Sequence, residues 1–217
     1  MWKDRTVRVR YWQWIIFLLL VQFIPNFAVR VTCSSVLVLV ILWSERHNRR
    51  CYEHIKRLVM RDELTGLYNY RYLQNRLQEE VARANRYHLP LVLLIIDTDK
   101  FKPFNDNFGH GAGNRALQKI ALILKEYTRA EDVVARFGGD EFVCLCPNIG
   151  LEQGKILAER LRKKVAETVF VSEPGEITIS IGVKQLHAGE SVEEFFVKTD
   201  ERLYYGKQNG RNQVYVA

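Results

Sequence analysis

The feature that most constrains this chain is an unbroken run of apolar residues, 91–96, which follows Pro90 and ends at the acidic residue Asp97. Six apolar residues without a polar interruption predict a strand that is buried on both faces. Such a strand needs packed elements on either side of it. The region from residue 64 onward is therefore expected to fold as a compact mixed domain.

The segments after this strand alternate between helical and extended patterns. Helices are predicted at 113–130, 151–168 and 192–208, and strands at 133–137, 141–146, 177–183 and 214–216. Only Gly138, Gly139 and Asp140 separate two of the strands, which indicates a hairpin. The order strand, helix, hairpin, helix, strand is the split βαβ arrangement, so the predicted class is α+β.

This order brings acidic residues together. The end of the first strand and the tip of the hairpin lie side by side in such a sheet, so we expect Asp97 near Asp140 and Glu141. Clustered carboxylates repel one another unless cations hold them, and hard oxygen ligands suit Mg²⁺ bound together with phosphates. At this point a hairpin turn without further function remains the alternative for Gly138-Gly139-Asp140.

Basic residues are concentrated at the amino-terminal end. Residues 1–57 hold ten basic and three acidic residues, a balance of +7 that equals the net charge of the whole chain. The rest of the chain is therefore neutral overall, and a nucleic-acid partner is not expected. The excess charge instead indicates the inner face of a membrane and a lipid bilayer as partner.

Two apolar stretches, 12–24 and 31–43, flank a break that contains Pro25 and Arg30. A single span would leave Arg30 inside the bilayer at a cost of at least about 2.5–3.5 kcal/mol, so residues 1–43 are predicted to form a transmembrane hairpin. Basic residues on both sides place both termini in the cytoplasm. Each leg of about 16 residues rises roughly 24 Å, short of the ~30 Å hydrocarbon core, so a re-entrant hairpin stays open.

Residues 44–62 are predicted to form a juxtamembrane linker helix, and residues 63–217 a catalytic domain. The linker contains Cys51, Ile55 and Leu58 at a spacing typical of a narrow coiled-coil seam. A solvated spacer helix is the alternative for this stretch.

The motifs of the soluble region resemble one known family. Gly138-Gly139-Asp140-Glu141-Phe142 is the signature after which the GGDEF family is named, and further family motifs occur in order along residues 61–217. These are Asp62-Glu63-Leu64-Thr65, Asp97-Thr98-Asp99-Lys100-Phe101-Lys102, Asn105-Asp106, Gly109-His110, Ser180-Ile181-Gly182 and Gly210-Arg211-Asn212. Linked motifs are far more specific than the pentapeptide alone.

The resemblance implies a fold and an activity. The fold would be a ferredoxin-like nucleotide-cyclase sheet flanked by helices. The activity would be that of a diguanylate cyclase, in which two protomers each bind one GTP and together form cyclic di-GMP and two pyrophosphates. Such a protein would be a homodimer at the bacterial inner membrane, with its catalytic domain in the cytoplasm.

The resemblance also assigns the metal site and the catalytic residues. Asp97, the backbone carbonyl of Thr98, Asp140 and Glu141 would hold two Mg²⁺ per active site, with Mn²⁺ as a possible replacement. Asp140 or Glu141 would accept the proton, and the choice between them stays open. Lys102 would stabilise charge in the transition state.

The remaining substrate-binding positions follow from the same motifs. Asn105 would bind guanine, Gly138 and Gly139 would let the backbone approach the nucleotide, and Lys207 and Arg211 would contact phosphates. A solvated helix end is the alternative for Lys207 and Arg211. His110 matches an accompanying position, for which a structural histidine is the alternative. Asp99 and Asp106 are interpreted as solvated acids.

Arg129 and Asp132 form an Arg-x-x-Asp pattern ahead of the hairpin. In relatives this pattern binds the product, cyclic di-GMP, which acts as a feedback inhibitor. Arg160 is the candidate for the second arginine of this product site.

One position departs from the family. Asn114 replaces the usual aspartate, which is the second group that reads guanine. Two alternatives to the cyclase follow: a receptor that only binds cyclic di-GMP or GTP, and a relaxed cyclase that also uses ATP. The intact Asp97, Lys102, Asp140 and Glu141 favour an active enzyme.

Overall fold

The computed structural model describes residues 32, 35–36, 38–47, 60–171 and 177–216. The chain divides into two compact units, residues 1–59 and 60–217. The described residues of the first unit are helical. In the described part of the chain, no helix has the length and apolar character needed to cross a membrane. Most of the predicted hairpin and the seam at Cys51, Ile55 and Leu58 lie outside the described residues.

The second unit contains a six-stranded sheet in the order β1-β3-β4-β2-β5-β6. Its elements are β1 (Tyr68–Asn69), α1 (Tyr70–Tyr87), β2 (Leu91–Asp99), α2 (Phe101–Tyr127), β3 (Val133–Arg136), β4 (Glu141–Pro147), α3 (Leu151–Ala166), β5 (Thr178–Gln185), α4 (Val192–Gln208) and β6 (Val214–Val216). Strand β2 runs antiparallel to both β4 and β5. The α+β class and the predicted order of elements are confirmed, whereas β1 and α1 were not predicted.

The core explains why the apolar run is unbroken. Alternate residues of a strand point to opposite faces of the sheet. Val92, Leu94 and Ile96 pack with residues of α2 and α3, whereas Leu93 and Ile95 pack with residues of α1 and α4. All of these β2 side chains are buried, so the prediction of a strand covered on both faces is confirmed.

Helix α2 is longer than predicted and is interrupted. It begins at Phe101, and Gly109 within it has the non-helical angles φ 81° and ψ 158°. A positive φ of this kind costs glycine little, because glycine has no Cβ. The sequence predicted only the second half of this helix. Pro103 and the glycines around the break interrupt the spacing of apolar residues that is typical of a helix.

Candidate active site

The three predicted acidic residues meet at one end of the sheet. Asp97 lies directly opposite Glu141 in the pairing of β2 with β4, and directly opposed side chains lie on the same face. The backbone N–H of Thr98 donates to the carbonyl of Asp140 at 3.2 Å, and the Thr98 hydroxyl donates to the same oxygen at 3.0 Å. Thr98 thus fixes the hairpin tip against the end of β2.

Asp97 is a buried carboxylate with a raised pKa. Burial raises the pKa of Asp97 to about 6; Lys207 opposes this rise, while the nearby Asp140 and Glu141 add to it. The Lys207 ammonium lies 2.7 Å from the Asp97 carboxylate. A buried carboxylate beside two other acids is stabilised by a cation, and in this structure Lys207 supplies that charge.

The donor chemistry of this site fits a divalent metal ion. Two carboxylates from the hairpin, the Asp97 carboxylate and the Thr98 carbonyl are hard oxygen ligands of the class that Mg²⁺ prefers. The side chains are not gathered around one point, and the described residues contain no cluster of three or more potential metal-binding side chains. The Glu141 carboxylate lies over Gly138, where an added Cβ would stand 2.6 Å from Oε2. Because the Lys207 ammonium already pairs with the Asp97 carboxylate, a metal ion that binds Asp97 would compete with Lys207.

Asn105 has an unused acceptor. Its Oδ1 atom is buried and accepts no hydrogen bond from any described residue. A Cβ added to Gly113 would stand 1.8 Å from this oxygen. Residues eight apart in a continuous helix are about 12 Å apart along the axis, so the break at Gly109 is what brings Gly113 against Asn105. The arrangement suits a ligand that presents an N–H donor to Asn105.

Apart from Lys207 and Gly138, the other predicted substrate residues form no hydrogen bond or ion pair with the three acids in the described part of the chain. Lys102, His110 and Asn114 are exposed on α2. Gly139 is exposed at the hairpin tip. Arg211 is also exposed, and its backbone N–H donates to the carbonyl of Gly206 at 3.3 Å.

Arg136 is a site residue that the sequence analysis missed. Its guanidinium donates to the carbonyl of Gly139 at 2.7 Å and to the Asp62 carboxylate at 3.1 Å. Burial would raise the pKa of Asp62, but hydrogen bonds from Thr65 and Arg136 lower it overall. Arg136 therefore ties the hairpin tip to the Asp62-Glu63-Leu64-Thr65 motif at the start of the domain. The sequence carries one signal for a role of Arg136, because this residue ends the otherwise apolar strand β3.

Asp99 is not the solvated acid that the sequence analysis described. Its side chain is buried and accepts hydrogen bonds from the hydroxyl groups of Thr178 at 2.8 Å and Ser180 at 2.7 Å. It also accepts one from the backbone N–H of Asn212 at 2.9 Å. The interpretation was wrong because β2 continues through Asp99 and pairs with β5 there. Asp106 is exposed, as expected.

The predicted product-site residues lie around the end of α2. The Asp132 carboxylate accepts from the backbone N–H of Arg129 at 2.8 Å, and burial raises its pKa. Its Oδ1 atom is buried and finds no hydrogen-bond partner among the described residues. Arg160 donates to the carbonyl of Tyr127 at 2.7 Å. Arg129 and Asp132 line a cavity of about 210 Å³ that also contains Arg61 and Lys125.

Comparisons with known proteins agree with this architecture. Residues 59–213 match the family described as "Diguanylate cyclase, GGDEF domain". Diguanylate cyclase DgcP of Pseudomonas aeruginosa is 42% identical over 167 residues, which are 76% of this chain and 25% of that protein. Response regulator PleD of Caulobacter vibrioides is 39% identical over 171 residues, which are 76% of this chain and 38% of that protein. The chain thus spans less than half the length of these relatives.

Two solved structures show the same fold. One contains the coiled coil and GGDEF domain of DgcB from Caulobacter crescentus in complex with c-di-GMP; it has a TM-score of 0.77 and 27% identity, covering 86% of this chain and 100% of that one. The other is the active GGEEF domain of a diguanylate cyclase from Vibrio cholerae, with a TM-score of 0.66 and 34% identity, covering 68% of this chain and 96% of that one. The predicted family is confirmed, and this chain belongs to the GGDEF domain family.

Proposed function

We propose that this protein is a diguanylate cyclase, which condenses two GTP molecules into cyclic di-GMP and releases two pyrophosphates. The proposal is carried by the three acids Asp97, Asp140 and Glu141, which lie near one another where β2 pairs with the start of β4. It is carried also by Asn105, on the helix that follows β2, whose buried Oδ1 has no partner among the described residues. The acids suit a phosphate-bound cation, and Asn105 suits a purine base. The names of relatives such as diguanylate cyclase DgcP support the same reaction.

The reaction follows from pairing two such sites. Each protomer binds one GTP, and the 3′-hydroxyl of each nucleotide attacks the α-phosphate of the other, so that two phosphodiester bonds form and two pyrophosphates leave. Asp140 or Glu141 accepts the proton of the attacking hydroxyl, and Lys102 stabilises the negative charge that develops on phosphate. A homodimer is required, because one protomer holds only one of the two nucleotides.

Diguanylate cyclases of the GGDEF family generally require divalent metal ions, and we propose Mg²⁺ for this one. Asp97, the Thr98 carbonyl, Asp140 and Glu141 would hold it. When bound, Mg²⁺ orients the triphosphate and neutralises the leaving group. Lys207, which pairs with Asp97 in this structure, would then be free to contact the phosphates together with Arg211.

Feedback inhibition is part of the proposal. Cyclic di-GMP carries guanine N–H donors and phosphates, which complement the Asp132 carboxylate and the guanidinium of Arg129. Arg160 would contribute a second guanidinium. Replacing Arg129 by alanine should weaken product inhibition and leave the initial rate of product-free enzyme unchanged; equal inhibition in the variant and the parent would remove Arg129 from this role.

We further propose that the amino-terminal region anchors the enzyme at the bacterial inner membrane with the catalytic domain in the cytoplasm. The support is the pair of apolar stretches and the basic residues that flank them. Fractionation of cells that express the full chain tests this placement. Recovery of the chain in the soluble fraction would contradict it.

Asn114 favours a second candidate, a cyclase with relaxed base selection. A carboxylate accepts from both N1–H and N2–H of guanine, whereas an amide offers one acceptor and one donor. An amide also complements adenine, and pairs of this kind discriminate between bases by roughly 1–3 kcal/mol. We expect cyclic di-GMP to remain the main product, because Asn105 is present.

One experiment tests both candidates. The purified full chain is incubated with GTP, ATP or both in the presence of Mg²⁺, and the dinucleotide products are separated. Cyclic di-GMP with a minor share of mixed GMP-AMP dinucleotide is expected, and Asn114→Asp should suppress the mixed product. An unchanged product ratio in Asn114→Asp would remove Asn114 from base selection. If the parent forms no dinucleotide but binds cyclic di-GMP, the protein is a receptor.

A further inference from the structure

The carboxylate of Asp99 joins three parts of the domain. It lies at the end of β2 and accepts from two hydroxyl groups of β5, those of Thr178 and Ser180. It also accepts from the backbone N–H of Asn212, in the loop between α4 and β6. A buried carboxylate that accepts three hydrogen bonds from two other elements holds those elements in place.

The anchored loop has an unfavourable backbone. Gly210, Arg211 and Asn212 have φ angles of 111°, 62° and 47°. Residues other than glycine seldom adopt this left-handed region, because the Cβ meets the following carbonyl. Two contacts from other elements hold Asn212: its N–H donates to Asp99, and its Oδ1 accepts from Arg162 of α3 at 2.8 Å. Arg211 precedes Asn212 directly, so the same contacts fix its position.

Asp97 and Asp99 hold the two ends of one segment. They are two residues apart in β2 and so point to the same face of the sheet. Asp97 binds Lys207 at the end of α4, and Asp99 binds Asn212 five residues later. Of the two proposed phosphate-binding residues, Lys207 is itself the first attachment, and Arg211 directly precedes the second. Because a metal ion would compete with Lys207 for Asp97, the attachment at Asp99 would be the one that persists in a metal-loaded site.

We infer that Asp99 is a positioning residue for the triphosphate of GTP, which acts by holding the loop 210–212 so that Arg211 and Lys207 face the phosphates. This inference rests on the proposed function. It assigns Asp99 no contact with substrate or metal. Its role depends on accepting hydrogen bonds and not on carrying a negative charge.

The test compares two ligands and four variants of the full chain. Binding of 3′-deoxy-GTP, which cannot condense, and of guanosine, which lacks phosphates, is measured by calorimetry with Mg²⁺ present. Asp99→Ala should weaken 3′-deoxy-GTP binding by about tenfold, because the Asn212 N–H loses its hydrogen-bond acceptor, and should change guanosine binding by less than about twofold. If Asp99→Ala does not fold, Asp99→Ser takes its place. The serine hydroxyl is one bond too short to reach the Asn212 N–H, so the same loss of about tenfold in 3′-deoxy-GTP affinity is expected.

Two further variants separate positioning from other roles. Asp99→Asn should restore 3′-deoxy-GTP affinity, because the amide oxygen accepts from Asn212 and Thr178 while the amide N–H₂ donates to the Ser180 hydroxyl. Ser180→Ala is the matched control, as it removes one hydrogen bond from Asp99 and leaves the loop attached; it should bind 3′-deoxy-GTP like the parent.

The outcomes distinguish this inference from the proposed function. Parent-like binding of 3′-deoxy-GTP by Asp99→Ala or Asp99→Ser would overturn the inference, as would equal loss of both ligands. Failure of Asp99→Asn to restore binding would also overturn it, because the negative charge would then be what matters. A parent chain that does not bind 3′-deoxy-GTP would overturn the proposed function and the inference with it.

Discussion

Gly113 offers a way to perturb base recognition without touching the acidic residues. A Cβ at this position would stand 1.8 Å from Oδ1 and 2.9 Å from Cγ of Asn105, and 3.1 Å from the ring of Phe101. Real Cβ atoms do not come as close to other atoms as the two distances to Asn105, and the distance to Phe101 is tighter than most Cβ contacts. In Gly113→Ala the Asn105 side chain must therefore move away from its present position.

Gly113→Ala should weaken the binding of GTP without weakening helix α2. Gly113 lies within α2, where alanine is favoured over glycine by roughly 0.8–1 kcal/mol, so the helix itself is not weakened by the change. Displacing Asn105 should cost about 1–3 kcal/mol of binding free energy, the penalty for a buried donor left without its acceptor. That corresponds to a Kd for GTP that is roughly 5- to 150-fold higher.

The assay is a double-mutant cycle on Kd for 3′-deoxy-GTP, with Gly113→Ala, Asn105→Ala and the double variant. If Gly113 acts only by placing Asn105, Gly113→Ala should have no further effect once Asn105 is alanine. Additive losses would mean that Gly113 affects binding by another route. Parent-like affinity in Gly113→Ala would refute the assignment of Asn105 as the base-binding residue.

Three other expected outcomes concern charged groups. Because burial raises the pKa of Asp97 to about 6 in the metal-free protein, the affinity for Mg²⁺ should fall as pH drops through this value, and the metal-free domain should lose stability as pH rises from about 3.8 to about 6. Mg²⁺ binding of equal affinity at about pH 5 and about pH 7, measured by calorimetry, would contradict this. For Glu190, burial would raise the pKa, but hydrogen bonds from Lys184, the His187 backbone and Lys198 lower it to about 2, so its stabilisation should be lost as pH falls from about 4.5 toward 2. Glu190→Gln leaves the buried Lys184 ammonium with its hydrogen bond to the Gln185 carbonyl but without its charged partner. The free energy of unfolding should therefore fall by about 3–5 kcal/mol at neutral pH, a loss that denaturant titration measures and that should shrink toward pH 2. Arg136→Ala should lower kcat with little change in thermal stability, because the hairpin tip loses its hydrogen bonds to the guanidinium, whereas a parent-like kcat would make that contact dispensable.

The sequence predicted the parts of this structure that depend on local pattern. The apolar run of β2 and the hairpin at Gly138 and Gly139 fixed the order of the central strands, and that order was enough to bring Asp97 to Glu141. The short strand β1 was missed, since two residues, Tyr68 and Asn69, carry no detectable period.

Contacts between distant residues were beyond the reach of the sequence. Arg136 meets Asp62 across 74 positions of the chain, and Asp99 meets Asn212 across 113. Nothing in the local pattern of Asp99 distinguishes a buried anchor from a solvated acid, because the three donors come from β5 and from the loop after α4. The helix break that places Gly113 against Asn105 depends equally on tertiary packing.

The central claim is that carboxylates at the end of β2 and at the hairpin tip support the condensation of two GTP molecules. The most direct measurement is the amount of cyclic di-GMP and pyrophosphate formed from GTP and Mg²⁺ by the full chain and by Asp140→Asn at equal concentration. We expect the parent to form one cyclic di-GMP for every two pyrophosphates, and Asp140→Asn to form neither while unfolding at the same temperature as the parent. No cyclic di-GMP from the parent, or a near-parent rate from folded Asp140→Asn, would contradict the claim.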